Sequence, residues 1–218
     1  CLYFAFQQVN LEDINRALIT ANLNYLFLAS LITFITFILR SIRWRMLLNS
    51  PKELGFSQYM SSTHIGYFLN NILPFRAGDL GRAKPLSDPS KRMKFSFLVG
   101  RLVAEKIIDL WIIGFFSIFI IFLGYQDILG FNFSLIILIL YIITTAIIFG
   151  ENSLVNKIQE KFSITKNFID GYLLVSENKI KLGIISLMLW CSFVVYIFLI
   201  LQSLNINLTI QQYLGLTI

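Results

Sequence analysis

Two clusters of ionisable side chains interrupt an otherwise apolar sequence, and both have the chemistry to handle a charged group. The first lies in the stretch from Asn70 to Pro85, where Asn71, Arg76, Asp79 and Arg82 occur beside two glycines and two prolines. Arginine presents a planar fork of donors that pairs bidentately with phosphate or carboxylate, so Arg76 and Arg82 suit an anionic ligand. Pro74 can open a helix on which Asp79 and Arg82 form an i,i+3 pair, while Gly78 and Gly81 leave room for another backbone or a ligand. The plain alternative is a polar loop between membrane helices. The second cluster holds Arg101, Glu105, Lys106 and Asp109. Arg101, Glu105 and Asp109 recur every four residues and share one helix stripe, so simple pairing along that stripe competes with any functional role.

These groups sit in a chain with 56% hydrophobic residues, a mean hydropathy of +0.73 and only 14% charged residues. That is far more apolar than a soluble domain and indicates an integral membrane protein. The net charge of +6 does not signal nucleic acid, because the basic residues lie between apolar runs and not on an amphipathic soluble face. Cys1 and Cys191 supply neither a disulfide framework nor a C-x-x-C metal site. His64, the single histidine, reads as a packing or hydrogen-bonding residue. No His-x-x-x-His, Ser-His-Asp-like or glycine-rich phosphate-loop pattern occurs, so no cofactor or metal is expected and no known enzyme motif is present.

The elements that position the clusters are expected to be helices. The fold class is all-α, a polytopic membrane bundle with a re-entrant helical segment. Apolar runs give spans at about 21–39, 101–124, 131–150 and 182–204, each near the ~20 residues that cross a ~30 Å hydrocarbon core. Gln7 to Thr20 resembles an interfacial amphipathic helix. Arg40, Arg43, Trp44 and Arg45, after the first span, suit the headgroup region. The run at about 59–73 is short and interrupted by serines, Thr63, His64 and two asparagines, which favours a re-entrant segment over a crossing. Residues 151–181 form a cytoplasmic amphipathic region. A charge at the membrane centre costs about 2.5–3.5 kcal/mol, whereas each Ile, Leu or Phe favours insertion by only about 0.3–0.6 kcal/mol. The Arg101 to Asp109 stripe is therefore expected near the cytoplasmic interface or facing a polar cavity inside the bundle. Neither end carries a natural stop, so residues 1–218 are read as one membrane domain cut from a longer one.

The order Arg43-Trp44-Arg45-x-Leu47-Leu48, then Asn71-x-Leu73-Pro74-x-Arg76-x-Gly78-Asp79-x-x-Arg82, then Glu105-x-x-x-Asp109-Leu110 resembles the flippase-like, lysylphosphatidylglycerol synthase transmembrane family. The likeness is fullest from Arg40 to Trp111. Asp79 stands where that family usually has Glu, and Lys106 where it often has Arg. The resemblance implies a multi-pass prokaryotic domain of the cell (inner) membrane whose partners are lipids with anionic or phosphate-bearing headgroups. Aminoacylated phosphatidylglycerol and polyprenyl-linked glycolipids are examples. It marks Arg43, Asn71, Arg76, Asp79, Arg82, Glu105 and Asp109 as candidate lipid-binding residues. In the best-known members an aminoacyl-transferase domain follows the membrane part, and nothing in these residues resembles such a fold.

Three readings stand at this point. In a translocator, Arg76 and Arg82 hold a lipid phosphate while Glu105 and Asp109 neutralise them or bind an amine. In an intramembrane enzyme, Glu105 or Asp109 acts as general base on a headgroup. In a scaffold, the chain transports nothing and supports a lipid-modifying enzyme such as a synthase or glycosyltransferase.

Charge asymmetry fixes an expected orientation. Every Lys and Arg except Arg16 falls between Arg40 and Lys106 or between Lys157 and Lys181. If each span crosses once and 59–73 does not cross, these blocks share one side, which the positive-inside rule makes cytoplasmic. In intact cells an impermeant thiol reagent should modify Asp127→Cys and leave Ser90→Cys untouched; the reverse pattern would overturn the orientation.

Overall fold

Several helix boundaries among the described residues follow local chemistry. A computed structural model describes residues 10–48, 54–74, 77–87, 93–122, 131–149, 167–168, 170, 179–209 and 212–213. Among the described residues the main elements are α1 (Leu11–Thr20), α2 (Leu23–Leu48), α3 (Phe56–Ile72), α4 (Gly78–Gly81), a 3-10 turn (Lys84–Leu86), α5 (Phe95–Phe122), α6 (Phe131–Phe149) and α7 (Lys179–Ser203). No strand occurs among the described residues, and the chain is an all-α membrane protein. Asn10 caps α1 by accepting from the Glu12 N–H at 3.1 Å, and Asn22 caps α2 by accepting from the Asn24 N–H at 3.0 Å. α3 stops at Ile72 because a residue before proline is pushed out of the helical region, and Leu73 is extended at φ −90 and ψ 137; Pro74 itself lies in a 3-10 turn, its carbonyl accepting from the Ala77 N–H at 3.3 Å.

The chain forms two contact units, Cys1–Ile35 with Cys191–Thr217, and Thr36–Trp190 with Ile218. In the first, the Asn22 N–H donates to the Ser203 carbonyl at 2.8 Å, joining the start of α2 to the end of α7. Asn205 stops α7 in the left-handed region at φ 56, with the Ile206 N–H reaching the Leu201 carbonyl and the Asn205 N–H the Gln202 carbonyl. The Tyr213 hydroxyl donates to the Val194 carbonyl, and its ring meets Phe198 edge-on.

In the second unit Trp44, Leu47, Tyr59, Leu98, Leu102, Ile108 and Leu182 form a buried core drawn from α2, α3, α5 and α7. α5 and α6 approach closely at Gly114, where a Cβ would lie 2.8 Å from Tyr141, and the Trp111 indole donates to Thr145 at 2.9 Å. The outward faces of this unit remain apolar: Leu110 on α5, Ile142 on α6 and Ile184 on α7 are all exposed. Such surfaces suit hydrocarbon and not water.

Two expectations change on folding. The helix of the first span does not end at residue 39 but continues to Leu48, and Arg43 and Trp44, expected among the headgroups, are buried in the bundle. Their phase explains it: Ser41, Arg43, Trp44, Leu47 and Leu48 fall on the buried face, whereas Arg45 is exposed. Secondly, Asp79 and Arg82 take separate interhelical partners and not each other. The turn around Asp127, Arg76 and residues 151–166 lie outside the described residues.

α4 lies directly on α3. A Cβ on Gly78 would run into the backbone of Asn70 and Gly66, and a Cβ on Gly66 would lie 2.8 Å from the Arg82 Cβ. The sequence expectation of close backbone approach at Gly78 is met by α3. Gly78→Val should therefore lower the detergent-solubilised melting temperature by the equivalent of about 1–3 kcal/mol of overpacking. Gly183→Ala, where a Cβ meets nothing within 4 Å, should leave it unchanged or raise it; equal losses would contradict this packing.

Candidate functional site

The site assembles where α2, α5, α7 and the segment following α3 converge. α5 buries Leu98, Arg101, Leu102, Glu105, Ile108 and Ile112 on one face, so the apolar spacing that packs the helix also carries Glu105 inward. There Glu105 meets two arginines, Arg43 of α2 on one carboxylate oxygen and Arg82 on the other. Arg43 also donates to Asp109 at 2.6 Å, one turn further along α5, and to the Ser186 hydroxyl of α7 at 3.1 Å. Arg43, Arg82 and Glu105 are each only 3% exposed, so the pairing is internal.

Arg82 is aimed by its surroundings. Its guanidinium lies 4.4 Å over the Trp44 ring, where a cation meets the negative face of the indole. The Trp44 indole N–H donates to the Ser62 hydroxyl at 3.2 Å, and that hydroxyl donates to the Arg82 carbonyl at 2.5 Å. Both ends of residue 82 are thus held by α2 and α3. The Nε atoms of Arg43 and Arg82 are buried and find no acceptor among the described residues.

Asp79 flanks this cluster. It bonds Lys106 of α5 at 2.7 Å and accepts from the Asn70 amide at 2.9 Å. Burial alone would raise its carboxyl, but the hydrogen bonds from Lys106 and Asn70 and the nearby positive charges hold it below the ordinary range. Lys106 is 41% exposed, so this pair is partly solvated.

Of the residues marked from sequence, Arg43, Arg82, Glu105 and Asp109 form one bonded cluster and Asp79 stands beside it. Asn71 is exposed, and its neighbour Asn70 is the one that reaches Asp79. Arg76 lies outside the described residues. Pairing of the acids with partners across helices displaces the simpler reading of Glu105 as one member of a single-helix stripe. Ser62 and Ser186 join the site without any spacing that singles them out. His64 is a packing residue, stacked on Phe37 with centroids 4.8 Å apart.

These features define a helical membrane protein whose bundle encloses a closed arginine–carboxylate cluster. The chain belongs to the family described as lysylphosphatidylglycerol synthase TM region, which it matches over residues 1–218. It is 31% identical over 134 residues to a UPF0104 membrane protein of Methanocaldococcus jannaschii, a match covering 57% of this chain and 37% of that protein. The chain therefore spans well under half of that relative's length. No solved structure matches it.

Removing one partner of a buried ion pair strands the other, at a cost of about 3–5 kcal/mol. Glu105→Gln should therefore destabilise the solubilised protein by that order, whereas Asp79→Asn should cost within about 1 kcal/mol because its partner is partly solvated. Because folding depresses the Asp79 carboxyl, its contribution is complete above the usual carboxylate range and is lost as pH falls through the lowered value. Asp79→Asn should remove only that acid-sensitive increment in thermal melts, and equal losses for both variants would contradict the difference in burial.

Proposed function

We propose that this chain binds and translocates phosphate-bearing lipids, with Arg43 and Arg82 as the phosphate-handling groups and Glu105 and Asp109 as their resident counter-ions. The observation that carries this reading is the closed cluster itself. Ionisable groups inside a membrane bundle are expensive, and they mark substrate or ion pathways more often than they stabilise. A guanidinium has five N–H donors, and the unspent Nε–H groups of Arg43 and Arg82 leave donors for a further oxygen acceptor. A lipid phosphate can then enter by exchange, replacing a carboxylate on an arginine so that no bare charge is exposed to hydrocarbon.

On this reading the basic segments face the cytoplasm, the segment at 59–73 is re-entrant, and the protein lies in the cell (inner) membrane. Arg76, close in sequence to Arg82, is a further contact for the headgroup. Aminoacylated phosphatidylglycerol and polyprenyl-linked glycolipids are the candidate cargoes. One observation favours a second reading, a scaffold for a lipid synthase or glycosyltransferase: both Glu105 oxygens already hold arginines, as a purely structural network requires. The same pairing weakens the enzyme reading for Glu105, because a carboxylate held by two arginines inside the bundle is a poor proton acceptor, whereas Asp109 is partly exposed.

Arg82→Lys separates geometry from charge, because lysine keeps the charge and loses the fork. In proteoliposomes, wild type should expose a labelled anionic lipid in a headgroup-dependent way without altering its mass, and Arg82→Lys should do so at least about tenfold more slowly, the rate equivalent of 1.4 kcal/mol. Unchanged transport by Arg82→Lys would remove Arg82 from the phosphate site. Absence of transport by wild type would favour the scaffold, and a chemically altered lipid the enzyme.

A further inference from the structure

A groove lies along α5 and α7 that the ion cluster does not use. Trp111 and Phe115 of α5 and Gly183, Ile184 and Leu187 of α7 line a cavity of about 290 Å³ whose walls are almost wholly apolar. Gly183 adds no side chain to this space, and a Cβ there would meet nothing within 4 Å. Phe115, Ile184 and Leu187 are exposed, so the groove is continuous with the apolar surface that faces the bilayer.

Size and surroundings identify the occupant. Pockets that enclose drug-sized ligands span about 300–1,000 Å³, so this one accommodates a single hydrocarbon chain and not a whole lipid. A bilayer tail is as apolar as the walls, so no hydrophobic gain draws the chain in. Retention must come from van der Waals fit against the two aromatic rings and from anchoring of the same molecule's polar end. Polar groups are at hand on the same two helices. Asp109 precedes Ile112 by one turn on α5, Ser186 follows Gly183 by one turn on α7, and both bond Arg43. The Asp109 side chain is 19% exposed, unlike the enclosed Glu105.

We propose that an acyl chain of a membrane phospholipid occupies this groove, seated against Gly183, with the polar end of the molecule beside Asp109. This deepens the lipid-binding reading above and rests on it. Gly183 sets the width of the seat and Trp111 reports its occupancy.

The test uses purified protein in phosphatidylcholine vesicles, with and without lipid brominated along one acyl chain, because bromine quenches an indole it touches. Trp111→Phe identifies the Trp111 share of the fluorescence. Brominated lipid should quench that share in wild type, Gly183→Leu should abolish this quenching by filling the seat, and Leu187→Ala should deepen it by widening the seat. Quenching of Trp111 that neither variant changes would mean contact with bulk lipid only and would overturn the proposal. If Gly183→Leu does not fold, Leu187→Ala decides by the same criterion. Responsive quenching in a protein that moves no lipid would keep the groove and sink the translocator; lipid movement with unresponsive quenching would sink the groove alone.

Discussion

A carboxylate enclosed by membrane helices has to be neutralised on the spot, and Glu105 is neutralised twice, by Arg43 from α2 and by Arg82 from the segment after α4. Two cations on one anion then leave a positive excess, which Asp109 offsets through its own bond to Arg43. The cluster is therefore balanced only as a set. Its members come from separate elements, so forming it commits α2, α5 and the α3–α4 segment to one arrangement, with Ser186 adding α7.

Much of the packing in this unit follows from that requirement. Arg82 can reach Glu105 only if the segment after Pro74 folds back against α3, and Gly66 and Gly78 permit that because side chains at either position would collide. The carbonyl of Arg82 is held by Ser62 and its guanidinium by the Trp44 ring, so the side chain is aimed before it meets the acid. Arginine suits the post better than lysine, because a delocalised fork can stack on an indole and still donate sideways to an oxygen.

Hydropathy made the membrane class and the helical elements legible, because ~20-residue apolar runs have few other uses. The four-residue spacing of Glu105 and Asp109 exposed their shared face, and the need to neutralise buried acids pointed to Arg76 or Arg82 as a partner, without deciding between them. The role of Arg43 was masked by its position. A basic residue just past an apolar run looks like a headgroup anchor, and only the helical continuation to Leu48 turns it inward. Asn70 and Asn71 differ by one residue, or about 100° of helix phase, which composition does not resolve. Ser62 and Ser186 carry no signal at all, since a serine in a membrane helix usually bonds its own backbone.

The central claim is that the arginine–carboxylate cluster is retained for handling a charged lipid and not for stability. Replacing a buried ion pair by apolar residues of similar volume is often neutral or stabilising by about 1–4 kcal/mol, whereas removing one partner alone is strongly destabilising. The most direct measurement is a double-mutant cycle on Arg82→Met and Glu105→Leu, read both by thermal melting and by lipid translocation in proteoliposomes; the Arg43–Asp109 pair stays intact and balanced throughout. The account predicts that the double variant recovers most of the stability lost by either single variant and still moves no lipid. A double variant that translocates lipid at the wild-type rate would contradict it.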